Sequence, residues 1–140
     1  MLQKRILIVD DDPAVLRDLS VALNADGFDV LVADDGGDAV STIRREKLDL
    51  VLLDISLPPD VAHGGGVTWD GFLIMDWLRR LDEAKKTPVI LMTEADPAQY
   101  RDRARSAGAR GLFQKGIHNE PLLATIRRIL GTSCAHAQRA

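Results

Sequence analysis

The sequence predicts an α/β fold of the doubly wound class, a (βα)5 unit built on a five-stranded parallel sheet. Three observations carry that expectation. Short apolar runs recur at RILIV (Arg5 to Val9), LDLVLL (Leu48 to Leu53) and PVILM (Pro88 to Met92). Runs without a polar face need cover on both sides, and a parallel sheet obtains it from helices. Between the runs, apolar residues recur at helical spacing. Finally, the polar residues suited to chemistry follow the strands directly, and right-handed crossovers collect all such positions at one end of the sheet.

Taken in order, the first strand leads into Asp10, Asp11 and Asp12. Asp12 before Pro13 makes an N-cap and first-turn pair for a helix that keeps Val15, Leu16, Leu19, Ala22 and Leu23 on one face and ends at Gly27. FDVLVA (Phe28 to Ala33) alternates as an edge strand does. A shorter helix over Gly36 to Glu46 turns Ala39, Val40 and Ile43 inward, and the LDLVLL strand then delivers Asp54. The next helix carries Ile74, Trp77, Leu78 and Leu81, and PVILM delivers Thr93. The segment Pro97 to Ala107 offers only Tyr100, Ala104 and Ala107 as an inner stripe, flanked by Arg101, Arg103 and Arg105. So little apolar area predicts a weakly docked helix, the easiest in the chain to shift. GLFQ (Gly111 to Gln114) is a short last strand ending at Lys115, and Asn119 to Leu130 is a helix with Leu122, Leu123, Ile126, Ile129 and Leu130 facing in.

Composition narrows the function classes. A chain of 140 residues with 46% hydrophobic and 28% charged residues fits one globular domain. The net charge of −3 gives no sign of nucleic acid or an anionic membrane as a direct partner. The lone cysteine, Cys134, allows neither a disulfide nor a thiolate metal site within the chain, which points to a reducing compartment. MLQKR is followed by only four apolar residues, too few for a signal-peptide core, and no run approaches a membrane span. The expectation is a cytoplasmic protein.

The run Asp10-Asp11-Asp12 poses the chemical question. Two carboxylates about 4 Å apart repel by roughly 4 kcal/mol at an effective dielectric near 20. A cation, a helix N-terminus, a shifted pKa or solvent must offset that. Magnesium is a hard ion that takes oxygen ligands, and Asp10 and Asp11 with Asp54 make such a site. A hydroxyl at Thr93 and an ammonium at Lys115 would bind the oxygens of a phosphoryl group beside it. Asp12 is assigned to the helix cap, where negative charge is favoured.

The pieces IVDD, LLDISLP, DG, PVILMT, GA and QK stand in the order and at the strand ends that characterise one family. From Lys4 to Leu130 the chain resembles a CheY-like receiver domain of two-component response regulators. The resemblance implies a flavodoxin-like sheet of order 2-1-3-4-5. It implies that Asp54 accepts a phosphoryl group from a sensor histidine kinase or a histidine phosphotransfer protein. Asp10, Asp11 and Asp54 would hold Mg2+ with the backbone carbonyl of Ser56, Thr93 would donate its hydroxyl, and Lys115 would pair with the phosphoryl oxygens. It also implies a signalling protein rather than a conventional enzyme, one that catalyses its own phosphorylation and dephosphorylation. Its partner-binding face would relay the signal to a downstream effector protein, without touching nucleic acid or membrane. Residues 1–131 would form the receiver and 132–140 a short tail with no output domain, although excision from a longer protein stays open.

Four features depart from the family pattern. Between Pro58 and Gly71 the chain is longer than usual and holds three glycines, His63 and Trp69; this reads as an inert surface loop, or else as a flap beside Asp54. His63 has no partner at ligand spacing. Gly116 follows Lys115 where proline is customary, so a cis peptide is not expected there. Leu112 replaces the aromatic residue that swings on activation, with Phe113 on the opposite face. Glu94 is large and acidic where a small residue is usual. These touch the readout more than the chemistry. Two other readings remain at this point. Asp10-x-Asp12 resembles the nucleophile motif of haloacid-dehalogenase-type phosphatases, although Pro13 leaves no room for their flap; or the chain is a degenerate receiver that works without phosphorylation.

Overall fold

The computed structural model describes residues 3–56, 70–82, 84–116 and 119–131. The Pro58–Gly71 insertion with His63 and Trp69, as far as residue 69, and the tail with Cys134 lie outside the described residues. Five strands, β1 (Arg5–Val9), β2 (Asp29–Ala33), β3 (Leu50–Asp54), β4 (Val89–Thr93) and β5 (Gly111–Gln114), form one sheet of order β2-β1-β3-β4-β5. Every neighbouring pair is parallel. The helices are α1 (Pro13–Ala25), α2 (Gly36–Arg45), α3 (Gly71–Leu78), α4 (Arg101–Ala107) and α5 (Glu120–Leu130). This is the fold and strand order expected from the sequence.

The apolar strands alternate between two cores. Leu7, Val9, Val51, Leu53, Val89 and Leu91 face Ala39, Ile43, Ile74, Met75, Leu78 and Ala104 of α2, α3 and α4. Ile6, Ile8, Leu50, Leu52, Ile90 and Met92 face Leu19, Leu23, Leu122, Leu123 and Ile126 of α1 and α5. All five residues of β3 and of β4 are buried, whereas edge strand β2 is mostly half-exposed. Register then aligns the carboxyl ends: Val9 lies opposite Leu53, Asp54 opposite Met92 and Thr93 opposite Gln114. The residues that follow are therefore level with one another at one mouth of the sheet.

Two helices differ from the sequence reading. α3 ends at Leu78, and Leu81 sits in the following turn, still packed against the core. Pro97 to Ala107 is not one helix but a 3-10 turn, Pro97–Gln99, followed by α4. The break has a local cause. Asp96 caps the turn by accepting from the Ala98 N–H at 3.0 Å, and the Tyr100 N–H bonds back to the Pro97 carbonyl, which tightens the chain to three residues per turn. α4 itself buries only Ala104, in line with the weak docking its sequence predicts.

α3 begins against the end of β3. The Gly71 N–H donates to the Ile55 carbonyl at 2.9 Å, and a Cβ on Gly71 would come within 2.7 Å of the Asp54 carbonyl oxygen and 2.9 Å of the Ile55 Cα. Both obstacles are backbone, so neither can swing away. Gly71→Ala is expected to destabilise the fold by about 1–3 kcal/mol despite the better helix propensity of alanine. Urea unfolding measures this, and an unchanged midpoint would refute the close packing.

Candidate functional site

Asp10 directly follows β1, and its N–H donates to the Ala33 carbonyl at 3.1 Å, which fixes where its side chain starts. Asp54 closes β3, Thr93 closes β4 and Lys115 follows β5 with its N–H on the Thr93 carbonyl at 2.8 Å. Three of the four are almost fully buried: Asp10 is 0% exposed, Asp54 1% and Thr93 3%. The Lys115 ammonium lies between the acids, 3.0 Å from Asp10 Oδ2 and 3.1 Å from Asp54 Oδ2. The other oxygens take backbone donors, Asp12 N–H to Asp10 Oδ1 at 2.9 Å and Ser56 N–H to Asp54 Oδ1 at 3.1 Å. Asp11, exposed, completes a group in which one carboxylate oxygen from each of Asp10, Asp11 and Asp54 lies within 4.8 Å of the others.

Three carboxylates facing one ammonium leave the mouth with an excess of negative charge. Burial pushes the Asp54 carboxyl up to about 6, with the Asp10 charge adding to the rise and Lys115 and the Ser56 N–H opposing it. Burial also raises Asp10, against the Asp12 N–H and Lys115. For Lys115, burial disfavours the ammonium, but the hydrogen bonds and charges of Asp10 and Asp54 prevail and hold its pKa above the ordinary value. The donor set fits a hard divalent cation: anionic oxygens only, surplus negative charge, and one open, solvent-facing ligand in Asp11.

Of the side chains singled out from sequence, the structure brings Asp10, Asp11, Asp54 and Lys115 together, with Thr93 at the end of the neighbouring strand. Asp12 stands apart and caps α1, accepting from the Ala14 N–H at 2.9 Å. Thr93 Oγ1 accepts from the Ala95 N–H at 3.0 Å, so the hydroxyl proton remains to be donated. Glu94 is exposed, with its carbonyl taken by Gln114 Nε2 at 3.3 Å. Leu112 and Phe113 face opposite cores, as the strand period requires. Gly116 adopts φ +131°, a backbone region that side-chain-bearing residues avoid, and no cis peptide occurs among the described residues. Two features escaped the sequence reading. Lys115 already pairs with Asp10 and Asp54, whereas its implied partners were phosphoryl oxygens. Phe72 collects Arg103 and Tyr100 around its ring; an aromatic residue beside Asp70-Gly71 was the only available signal.

Comparison with known proteins agrees with this fold. Residues 6–127 match the model of the response regulator receiver domain family. Protein PilH of Pseudomonas aeruginosa is 37% identical over 126 residues, covering 90% of this chain and 97% of PilH. The DNA-binding response regulator MtrA of Mycolicibacterium smegmatis is 30% identical, covering 90% of this chain but 50% of MtrA. Among solved structures, the chemotaxis response regulator CheY4 of Vibrio cholerae superposes with a TM-score of 0.79 at 25% identity, over 92% of this chain and all of that one (100%). The response regulator TrrA of Thermotoga maritima, in complex with Mg2+-BeF, gives 0.75 at 27% identity, over 91% and 100%. No helix among the described residues is long and apolar enough to cross a membrane.

The buried charge yields a pH-dependent prediction. With a folded-state pKa near 6 against an ordinary 3.8, Asp54 binds more protons in the folded chain, so its stabilising contribution is complete below about pH 4 and is lost as pH rises through about 6. Without divalent metal, Asp54→Asn should therefore be more stable than the parent at pH 7.5, by about 1–3 kcal/mol. The gap should close toward pH 4. Urea unfolding in a chelating buffer at both pH values tests this, and a variant less stable at pH 7.5 would contradict it.

Proposed function

The chain belongs to the response regulator receiver domain family, and we propose that it acts as one through Asp54, the phosphoacceptor. The observation that carries this reading is the buried Asp10–Lys115–Asp54 arrangement at the carboxyl ends of β1, β3 and β5, with Asp11 at its rim. Receiver domains are signalling modules that interact with histidine kinases and downstream effectors, and an acidic cluster of this kind fits their phosphorylation site. The family match also sets aside the haloacid-dehalogenase reading, in which Asp10 would be the nucleophile.

The residues divide the work as follows. A carboxylate oxygen of Asp54 attacks the phosphorus of a phosphohistidine on the partner kinase or phosphotransfer protein. The P–O bond forms as the P–N bond breaks, and the imidazole nitrogen keeps the electron pair. No general base is needed, because Asp54 attacks already ionised. Asp10, Asp11 and Asp54, with the Ser56 carbonyl, would hold Mg2+, which supplies positive charge against the phosphoryl oxygens. Lys115 contributes a second positive charge and follows the new phosphoryl oxygens away from the carboxylates. Thr93 donates its hydroxyl proton to one of them. Water attacking the same phosphorus breaks the P–O bond to Asp54, which regains its carboxylate as inorganic phosphate leaves. Catalysis here is positioning and charge neutralisation. We assign residues 1–131 to the receiver. Relatives such as MtrA, half of whose length this chain spans, are DNA-binding regulators, so receivers of this family serve outputs that include DNA.

Acetyl phosphate with Mg2+ tests the assignment. Mass spectrometry should find one added phosphoryl group on Asp54, none on Asp54→Asn, and a rate at least ~100-fold lower when the metal is chelated. Label mapping to Asp10 would sink the reading. Lys115→Ala should still bind Mg2+ yet lose most of the structural response; loss of metal binding would contradict the division of roles.

A further inference from the structure

We propose that Phe72, Tyr100 and Arg103 form the element that couples the state of Asp54 to α4, deepening the phosphoacceptor reading on which it rests. The usual aromatic on β5 is absent, because that position is Leu112, half-buried in the core beneath α3 and α4. The aromatic mass has instead collected between α3 and α4. The Arg103 guanidinium carbon lies 4.1 Å from the centre of the Phe72 ring, and the Tyr100 ring is 6.2 Å from it, tilted by 37°.

One end of this cluster is seated on the site and the other is joined to it through the chain. Gly71, next to Phe72, is seated on the backbone of Asp54 and Ile55 so closely that a Cβ would lie 2.7 Å from the Asp54 carbonyl oxygen. A shift of the β3 end must therefore displace the first turn of α3, and Phe72 with it. Tyr100 lies at the other end of the short segment that leaves Thr93, whose hydroxyl holds the Ala95 N–H at 3.0 Å. When Thr93 turns toward a phosphoryl group that bond is lost and the segment is released. Both movements converge on Tyr100 and Arg103.

α4 is the element able to respond. It has seven residues, buries only Ala104, and starts at Tyr100 without a side-chain capping bond. Besides the small side chains of Ala104 and Ala107, its hold on the core includes the grip of Arg103 and Tyr100 on Phe72. An element held so lightly has two close-lying positions, and a small displacement of Phe72 selects between them. Arg101 and Arg105, without a carboxylate partner among the described residues, travel with the helix and alter the charge it presents.

Hydrogen–deuterium exchange of the full chain with Mg2+ and beryllofluoride, a phosphoryl mimic, tests the coupling in the parent, Phe72→Leu and Arg103→Gln. Arg103→Gln alters only an exposed side chain, so it reports even if Phe72→Leu folds poorly. Calorimetric titration should show that all three still bind beryllofluoride, with any change in affinity no larger than the lost coupling. Saturation should change exchange over residues 101–107 several-fold in the parent, and that change should be lost in both variants. A response of parental size in the variants, or none in the parent despite binding, overturns the coupling alone. Variants that no longer bind the mimic overturn it too, by placing these residues in the chemistry. A parent that binds no beryllofluoride overturns the phosphoacceptor reading and this inference with it.

Discussion

The constraint on which the rest depends is one ammonium set between two buried carboxylates. Lys115 Nζ reaches Asp10 and Asp54 at 3.0 and 3.1 Å, in a place with almost no solvent contact. Left alone, two buried acids side by side would neutralise by taking up a proton. With the lysine between them the balance is closer, but Asp11 at the rim restores the surplus of negative charge. The arrangement is still short of positive charge, which suits it to a divalent cation.

That placement is a property of the whole sheet. Asp10, Asp54, Thr93 and Lys115 come from four strands, and only the observed parallel register brings their carboxyl ends level. A slip of one residue in any strand would turn its apolar set from one core to the other. The register is therefore locked by hydrophobic contacts on both faces, far from the site. This explains why the fully buried β3 and β4, whose interiors contain no chemistry, carry Asp54 and Thr93 at their ends.

Much of this was legible in the sequence, because it depends on patterns that repeat. Continuous apolar runs gave buried strands, and Asp12-Pro13 gave a cap, which the Ala14 N–H occupies. Acids at successive strand ends gave the mouth of the sheet. What was not legible depends on contacts between distant residues. Lys115 pairs with a residue 105 positions away, and no local pattern encodes that. The contact of Gly71 with the Asp54 carbonyl is invisible in the dipeptide Asp70-Gly71, which reads only as a cap and a small residue. The split of Pro97 to Ala107 into a 3-10 turn and α4 turned on a single competition. Asp96 and Pro97 start a turn strongly, and the few apolar residues after them could not hold it in register with a longer helix.

Three of the four departures from the family pattern, those within the described residues, fall into two groups by physical consequence. Glu94 is exposed at the rim, and Gly116 supplies a backbone angle that other residues avoid; both leave the acids and Lys115 in place. Leu112 is different, since a half-buried aliphatic side chain packed on the core has no polar tip that would be satisfied at the surface as well as inside. A receiver that keeps the acids and the lysine but lacks that aromatic must either give up its conformational signal or carry it elsewhere. The weak docking of α4 argues for the second. A helix with one buried residue has little to hold it in a single position, because it contributes few contacts to the core. Its tie to Phe72, the residue following the glycine pressed against Asp54, gives the helix a physical connection to the site.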